Sequence, residues 1–462
     1  MTSKHKIVTM KEDLNIFLKI TEKLLAAEIA EPVLKPIAVE DVLENIDLTL
    51  QDEPMLDHEF AANLEKLVLT TPRTATKLFF NQLFGGRHSK AIIGELLSVI
   101  LNNSMYTYKV GGPQIVMEKQ LTRKLADMVG FGSDAEGTLA AGGSMTNLMG
   151  MLMARDWKDP QSQHEGVTQR MIAYTSEASH YSVNKNATFA GIGRNNVRKI
   201  ATDDHGRMDV AVLEETIKED VAKGYVPFMV NATAGTTVIG AFDPLRAIGE
   251  VAKKYDIWFH VDGAYCGSVL FSDKYRHLVD GSELADSFTL NAHKMLGTPL
   301  SCSLITVKHK EHIYNSMSQA ASYLYQTAND DYNPGQISLQ CGRRNDALKF
   351  WTLWKSIGTN GLEHAVDHQF DLSRHAKDYV KNNPDYTLYN DDDTIAICFN
   401  YKGLDPKVIC NTLYEKGEIM VGYGKFREQE FVRLVTVNFG NTKEDLDRFF
   451  TMMEKFCAEH LL

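Results

Sequence analysis

A lysine among small and apolar residues is the first group in this sequence that could do chemistry. Lys294 lies in the segment TLNAHKMLG, directly after His293. A lysine amine that is partly removed from water loses its proton more easily and becomes nucleophilic, so Lys294 is a candidate Schiff-base lysine. The alternative, and the more common role of a lysine, is a solvated charge at the end of a strand.

An aspartate lies 32 residues before this lysine, at the end of the apolar run in WFHVDGAYCGS. At the carboxyl end of a buried parallel strand, Asp262 would face the crevice in which α/β sheets bind ligands. Aspartate before glycine is also common in turns, and this remains the alternative. A carboxylate for a pyridine nitrogen, together with an amine that forms a Schiff base, is what pyridoxal phosphate chemistry requires.

A glycine pair followed by hydroxyl residues indicates a phosphate site. In AAGGSMTNLMGMLMAR, Gly142 and Gly143 precede Ser144 and Thr146 at the start of a predicted helix. Backbone N–H groups and hydroxyls converge there at the positive end of the helix dipole. Because most such segments only cap a helix, the pattern needs support from other parts of the chain.

Two further segments contain groups that suit an aromatic, phosphorylated cofactor. His180 follows a strand-like run in TSEASHYSVNK, where its ring could stack on the ring of a cofactor. Thr233 and the pair Thr236 and Thr237 supply hydroxyls in NATAGTTVIGAFDP. Taken singly, His180 could equally be a buried structural histidine.

Alternating strand and helix patterns between residue 71 and about residue 310 would position these groups. The predicted strands are GTLAAGG, RMIAYTS, VRKIA, PFMVNATA, IWFHVDGA, DSFTLNAH and SCSLITVKH. Helical segments such as MDVAVLEETIKEDVAKG and DPLRAIGEVAKKY lie between them. The alternation predicts an α/β fold with a mostly parallel sheet that is covered on both faces.

The chain divides into three predicted parts. Residues 1–70 carry apolar residues at helical spacing and are expected to form an N-terminal helical arm. Residues 71–345 would form a large cofactor-binding domain, and residues 346–462 a smaller C-terminal α+β domain.

Composition limits the class of protein. The net charge of −11 argues against nucleic acid or an anionic membrane as the main partner. No apolar run reaches the roughly 18 residues of a membrane span, and charges interrupt the first apolar stretch, unlike in a signal peptide. The six widely spaced cysteines include no CxxC pair, so we expect reduced thiols and no metal site. We therefore expect a cytoplasmic protein that binds neither nucleic acid nor membrane.

Segments that occur in order along the chain resemble the group II pyridoxal-phosphate decarboxylases. They are FFNQLFGG, YTYKVGGPQIVMEKQ, AAGGSMTNLM, TSEASHYSVNK, VPFMVNATAGTTVIGAFDP, WFHVDGAYCGSVL, NAHKMLG, QAASYLYQ, LQCGRRNDALKFWTLWK and VRLVTVN. The resemblance covers about residues 70–460 and is closest to the branch that acts on glutamate, cysteine sulfinate or aspartate. It implies a fold type I enzyme, similar to aspartate aminotransferase, that forms a homodimer with active sites at the subunit interface.

The resemblance also implies catalytic roles. Lys294 would carry the pyridoxal phosphate, Asp262 would pair with its pyridinium, and His180 would stack on its ring. The expected cofactor contacts further include Gly143, Ser144, Met145, Thr233 and His293. Tyr323 in QAASYLYQ matches a tyrosine on a mobile loop that protonates Cα, and Tyr325 is a second candidate; both could instead be surface aromatics.

Substrate recognition is implied in the same way. Arg433 in EFVRLVTVNF matches an arginine that binds the distal acid group of the substrate, although it could be a surface charge on an edge strand. Gln82 would assist it. Phe84, Ser104 and Tyr106 resemble the sulfinate and aspartate branch. A bulky Phe84 would shorten the pocket by about one methylene, which is worth roughly 1–3 kcal/mol of discrimination.

The sequence therefore predicts decarboxylation of a small acidic amino acid, with aspartate, cysteine sulfinate or cysteate favoured. Glutamate is the alternative substrate. A fold type I aminotransferase or lyase, and an inactive paralogue, are the remaining alternatives.

Overall fold

The computed structural model describes residues 10–30, 33–319 and 330–461. Its helices are α1 (Met10–Ala30), α2 (Val39–Asn45), α3 (Asp57–Leu69), α4 (Ser89–Leu101), α5 (Tyr108–Gly111), α6 (Pro113–Val129), α7 (Gly143–Lys158), α8 (Ser162–Glu165), α9 (Ser182–Phe189), α10 (Val210–Ala222), α11 (Leu245–Lys254), α12 (Lys310–Met317), α13 (Ala347–Asn382), α14 (Pro406–Lys416) and α15 (Lys443–His460). Its strands are β1 (Glu136–Ala140), β2 (Met171–Ser176), β3 (Val197–Ile200), β4 (Val226–Thr233), β5 (Trp258–Gly263), β6 (Ser287–Asn291), β7 (Ser303–Val307), β8 (Tyr386–Leu388), β9 (Ala396–Tyr401), β10 (Gly422–Phe426) and β11 (Gln429–Val435).

The larger sheet has seven strands in the order β1-β7-β6-β5-β4-β2-β3. Strands β3, β2, β4, β5 and β6 are parallel to their neighbours, whereas β7 runs antiparallel to both β6 and β1. Because the strands are short, apolar and buried, helices must cover both faces of the sheet. The predicted α/β fold class, with its mostly parallel sheet, is confirmed.

Successive side chains of each strand point to opposite faces of this sheet. On β5, Phe259 and Val261 pack into one apolar cluster with residues of α6, α10 and α11. Trp258 packs on the other face, in a second cluster with residues of α7, α9 and α12. The side chains of His260 and Asp262 therefore belong to the face that α7 covers.

The smaller sheet is antiparallel and has the order β10-β11-β9-β8. Its apolar face packs against α14 and α15 through a cluster that includes Phe399, Val432, Phe449 and Phe450. The long helix α13 precedes this sheet and changes direction at Gly358, whose φ of 70° lies in the left-handed region that favours glycine.

Two details differ from a simple strand and helix alternation. Parallel strands β5 and β6 are joined by 3-10 turns, at Gly267–Phe271, Arg276–Val279 and Ser282–Leu284, in place of an α-helix. In the N-terminal part, α1, α2 and α3 are separated by non-helical segments. Within the described residues, no helix is long and apolar enough to cross a membrane.

Candidate active site

A cavity of about 220 Å³ lies where β4, β5 and β6 end and α7 begins. Its walls bring together residues that are up to 151 positions apart in the chain. They are Gly143, Ser144, Asn147, His180, Ser182, Thr233, Gly235, Thr237, Asp262, Ala264, Tyr265, Asn291, His293 and Lys294. The carboxyl edge of a parallel sheet is where α/β proteins usually bind ligands, and this cavity occupies that place.

Lys294 follows β6 and reaches the cavity with a half-buried side chain. Burial lowers the pKa of its amine, while the carboxylate of Asp262 and the thiol of Cys266 act in the opposite direction. Its Nζ lies 5.6 Å from the centre of the Tyr265 ring. Burial thus favours the unprotonated amine that a nucleophilic lysine needs.

Asp262 ends β5 and is held by hydrogen bonds to both of its oxygens. Asn147 donates from Nδ2 to Oδ2 at 2.7 Å, and the backbone N–H of Ala264 donates to Oδ1 at 3.1 Å. These donors orient the carboxylate and leave further lone pairs as acceptors. Asp262 can therefore accept a hydrogen bond from a protonated group of a ligand in the cavity.

His180 presents an uncharged ring to the cavity. The backbone N–H of Ser182 donates to Nδ1 at 3.3 Å, so Nδ1 carries no proton, and the hydroxyl of Ser182 lies 2.8 Å from the same atom. Burial lowers the pKa of His180, and the charge of Lys294 lowers it further against the opposing effect of Asp262. A neutral imidazole suits stacking on an aromatic ligand.

His293 is neutral for a similar reason. The backbone N–H of Cys302 donates to its Nδ1 at 2.9 Å, and burial lowers its pKa to about 4. The ring lines the cavity directly before Lys294.

The start of α7 forms one end of the cavity. Gly142 precedes α7 with a φ of 111°, a backbone conformation that favours glycine, and from it the chain turns into the helix. A Cβ on Gly143 would lie 2.8 Å from Nδ2 of Asn291 and 3.1 Å from Cβ of Ala264, so only glycine lets the helix approach so closely. Ser144 lines the cavity at this positive helix end, where anions bind.

Three buried polar atoms in the cavity wall test whether these residues fit a phosphorylated pyridine. The Oγ1 of Thr233, the hydroxyl of Tyr265 and the Oδ1 of Asn291 have no hydrogen-bond partner among the described residues. Buried polar atoms are almost always paired, so a cavity with several unpaired ones is suited to a polar ligand. Together with the amine, the carboxylate, the neutral imidazole and the helix start, these groups fit pyridoxal phosphate.

Some residues expected at the site do not line this cavity. Met145 lies in the first turn of α7, where its N–H donates to the carbonyl of Gly142 at 3.0 Å. Ser104 and Tyr106 lie beyond α4. The Oγ of Ser104 accepts from the N–H of Arg343 at 3.2 Å, and the carbonyl of Tyr106 accepts from Gly335 at 2.8 Å. Tyr323 and Tyr325 lie outside the described residues.

Arg433, Gln82 and Phe84 also lie outside the cavity wall, but Arg433 is bonded to a residue of that wall and to the segment that contains the other two. Arg433 donates from Nη1 to the carbonyl of Thr237 at 2.9 Å, and Thr237 is part of the wall. Its Nη2 donates to the carbonyl of Asn81 at 2.8 Å, next to Gln82 in the chain.

Several wall residues were not anticipated from the sequence. Asn147 had a visible signal, because it is an amide within the apolar helical segment MTNLMGMLM, four residues after Gly143. Tyr265 follows β5, and Asn291 is the last residue of β6. Gly235 lies between Thr233 and Thr236. Nothing in the local pattern distinguished these three from packing residues.

The seven-stranded fold and the contents of the cavity define the chain as a fold type I pyridoxal-phosphate enzyme. The pyridoxal-dependent decarboxylase conserved domain matches residues 40–402. Cysteine sulfinic acid decarboxylase from Mus musculus is 34% identical over 434 residues, which cover 88% of this chain and 87% of that protein. The chain therefore belongs to the pyridoxal-dependent decarboxylase family.

Two further comparisons agree. The acidic amino acid decarboxylase GADL1 of Mus musculus is 34% identical over 448 residues, covering 92% of this chain and 81% of that protein. The crystal structure of mouse CSAD aligns with a TM-score of 0.90 at 31% identity, covering 96% of this chain and 98% of that one. The expected cofactor, pyridoxal phosphate, and the expected enzyme class, a carboxy-lyase, are confirmed.

Replacement of the cavity lysine tests its assignment as the residue that binds the cofactor. We expect Lys294→Ala to abolish turnover and the visible absorbance of the lysine-bound cofactor, because no other amine lines the cavity within the described residues. Lys308→Ala, which changes a lysine just after β7, is the control and should behave as the wild type. Decarboxylation by Lys294→Ala at more than about one per cent of the wild-type rate, with an unchanged circular dichroism spectrum, would contradict the assignment.

Proposed function

We propose that this enzyme decarboxylates a short acidic L-amino acid, and that aspartate, cysteine sulfinate or cysteate is preferred to glutamate. The relatives reported above are named for cysteine sulfinic acid and for acidic amino acids. The position of Arg433 beside the cavity is the single observation that supports an acidic substrate most directly. We also propose a cytoplasmic location, in keeping with six cysteines that are all free thiols.

The structure gives Arg433 an interior position. Its strand β11 lies between β10 and β9, so Arg433 is not a surface charge on an edge strand. The side chain is half-buried and spans from the small sheet to the loop after β4, where it contacts Thr237. A cation in this position is held rigidly at the boundary of the cavity.

The guanidinium of Arg433 retains donors for a ligand. A guanidinium has five N–H groups, and in Arg433 two of its hydrogen bonds go to the carbonyls of Thr237 and Asn81. The Nε atom is buried and has no hydrogen-bond partner in the described part of the chain. A carboxylate or sulfinate that accepts from Nε and Nη2 would form the bidentate pair that arginine favours.

The segment beside Arg433 supports a short substrate. Phe84 is half-buried and packs against Phe79 with ring centroids 6.1 Å apart, while Gln82 is exposed. We propose that the Phe84 ring limits the length of the substrate and that Gln82 assists Arg433. A difference of one methylene is worth roughly 1–3 kcal/mol, which favours aspartate over glutamate without excluding glutamate.

The proposed residues divide the work of the reaction. Lys294 would hold the cofactor and Arg433 the distal acid group of the substrate, so that the bond from Cα to the departing carboxylate is oriented without a cation that would stabilise that carboxylate in the ground state. When bound, pyridoxal phosphate provides an electron sink for the pair that CO2 leaves behind. Asp262 would pair with its pyridine nitrogen and His180 would stack on its ring. Tyr323, which lies outside the described residues, would return a proton to Cα.

We further propose a homodimer. Ile93, Leu97 and Ile100 on α4 are each about half exposed, and α1 exposes Phe17 and Leu18. Exposed apolar helix faces of this kind mark protein interfaces. Ser104 and Tyr106 follow α4 directly, and we propose that a dimer formed through this face brings them to the cavity of the partner subunit.

Substitution on α4 tests the dimer. The wild type should sediment at twice the chain mass of 51.9 kDa, and Leu97→Glu should shift it towards the monomer because a charge would be buried in the interface. Val212→Glu, at a partly exposed apolar position on α10, is the matched control and should remain a dimer. A wild-type monomer, or a Leu97→Glu protein of unchanged mass, would refute the proposal.

A substrate panel tests the proposed function. Purified enzyme loaded with pyridoxal phosphate is incubated separately with aspartate, cysteine sulfinate, cysteate and glutamate, and CO2 release is measured. We expect kcat/KM for at least one of the first three to exceed that for glutamate by about tenfold or more, given the shorter pocket. Inactivity with all four would disprove an acidic substrate, and a preference for glutamate would establish the alternative.

Arg433→Ala tests the substrate anchor. Loss of charge-assisted bonds should lower kcat/KM for the preferred substrate by about tenfold to a hundredfold, mainly through KM. Arg427→Ala, between β10 and β11 in the same hairpin, should leave KM unchanged. A wild-type KM in a folded Arg433→Ala protein would remove Arg433 from the substrate site.

A further inference from the structure

A row of polar side chains lies behind Asp262, on the face of β5 that α7 covers. Trp258, His260 and Asp262 alternate along β5 and are all buried, and Asn147 of α7 packs over them. Buried polar groups cost free energy unless each finds a partner. In an otherwise apolar layer, each of these polar side chains must therefore have a hydrogen-bond partner.

Four hydrogen bonds connect these side chains into one chain. Asn147 Nδ2 donates to Asp262 Oδ2 at 2.7 Å, and His260 Nε2 lies 3.0 Å from Asn147 Oδ1. On the other side of the ring, His260 Nδ1 lies 2.8 Å from the Oγ of Ser287, which accepts from Trp258 Nε1 at 2.9 Å. The chain thus runs from Trp258 through the imidazole to the carboxylate that faces the cavity.

The carboxylate of Asp262 at one end and the indole of Trp258 at the other determine which atom carries each proton along the chain. An ionised carboxylate only accepts, so Asn147 must donate its amide to Asp262 and accept through Oδ1 from a protonated Nε2 of His260. An indole N–H only donates, so the hydroxyl proton of Ser287 must point to an unprotonated Nδ1. Both ends specify the same neutral tautomer of His260. Burial agrees with this, since it lowers the pKa of His260 to about 4.

The packing of α7 makes room for this ring. A Cβ on Gly150 would lie 2.8 Å from Nδ1 of His260 and 3.0 Å from its Cε1. Gly150 lies almost one helix turn after Asn147, so the same face of α7 supplies both the amide that binds the imidazole and the space that the imidazole occupies. The helix sequence and the strand sequence are matched to each other at this point.

We propose that Asn147 and His260 are positioning residues that hold Asp262 towards the pyridine nitrogen of the cofactor; the inference rests on the proposed role of Asp262. Because His260 is neutral, the chain orients the carboxylate without placing a cation beside it. A nearby cation would weaken the attraction between Asp262 and a protonated pyridine. The residues act through Asp262 and do not touch the reacting atoms.

The test compares four variants of the full-length enzyme loaded with pyridoxal phosphate labelled with ¹⁵N at the pyridine nitrogen. Asn147→Leu removes the donor to Asp262 at similar volume, and Ser287→Ala removes the donor to His260. Thr289→Val is the matched control, because Thr289 is a buried hydroxyl residue on the same strand as Ser287, its Oγ1 has no partner among the described residues, and it lies opposite Asp262 in register. Asp262→Asn tests the carboxylate itself.

We expect Asn147→Leu to lower kcat by about tenfold to a hundredfold with little change in KM, and to shift the pyridine ¹⁵N resonance towards the unprotonated value. Ser287→Ala should leave the His260 proton on Nε2, because Asn147 Oδ1 still accepts from it, but should shift the Nδ1 resonance because Nδ1 loses its hydrogen-bond donor. Thr289→Val should match the wild type in every measurement.

Two outcomes would overturn the proposal, and they are distinguishable. If Asn147→Leu keeps the wild-type kcat and pyridine resonance while Asp262→Asn is inactive, the positioning role is wrong and the role of Asp262 stands. If Asp262→Asn itself keeps both, the role of Asp262 fails and the inference fails with it. A wild-type His260 ring that carries its proton on Nδ1 would also refute the hydrogen-bond chain.

Discussion

The burial of a carboxylate at the carboxyl end of β5 is the constraint on which the rest of the site depends. Asp262 is 5% exposed, and a charge so far from water is stable only if neighbouring groups orient dipoles towards it. The amide of Asn147 and the backbone N–H of Ala264 do this. These two donors orient the carboxylate of Asp262. Because Asn147 belongs to α7, this helix must approach β5 closely, which explains why Gly143 and Gly150 lie on the face of α7 that meets the sheet.

The same dry environment has the opposite effect on the bases around the carboxylate. Burial lowers the pKa of Lys294, His180 and His293, so the amine is driven towards its nucleophilic form and the imidazoles remain neutral. The net charge of −11 would not attract the proposed anionic substrate from a distance. The proposed anchor, Arg433, provides positive charge locally, where the small sheet meets the loop after β4.

Much of the fold was predictable because its periodicities are local. Strands such as PFMVNATA and IWFHVDGA are buried on both faces, and their sequences are therefore almost continuously apolar. The helices between the strands carry apolar residues at helical spacing along one face. The connection between β5 and β6 was not predictable in detail, because its 3-10 turns have no periodic pattern of their own. The direction of β7 was also undetermined, since strand direction depends on pairing with β6 and β1 and not on composition.

The sequence by itself indicated the cofactor, since Lys294, Asp262, His180 and the glycines before α7 occur in order within segments that resemble a known family, although residue type and place at strand and helix ends left an alternative open for each of them. Only the tertiary structure decided which side chains support them. Asn147 and His260 are 113 residues apart and meet at 3.0 Å because α7 crosses β5, and Arg433 reaches Thr237 across 196 residues because two sheets meet. Such contacts arise from packing between distant elements, and no local pattern encodes the distance or the direction of a hydrogen bond across them.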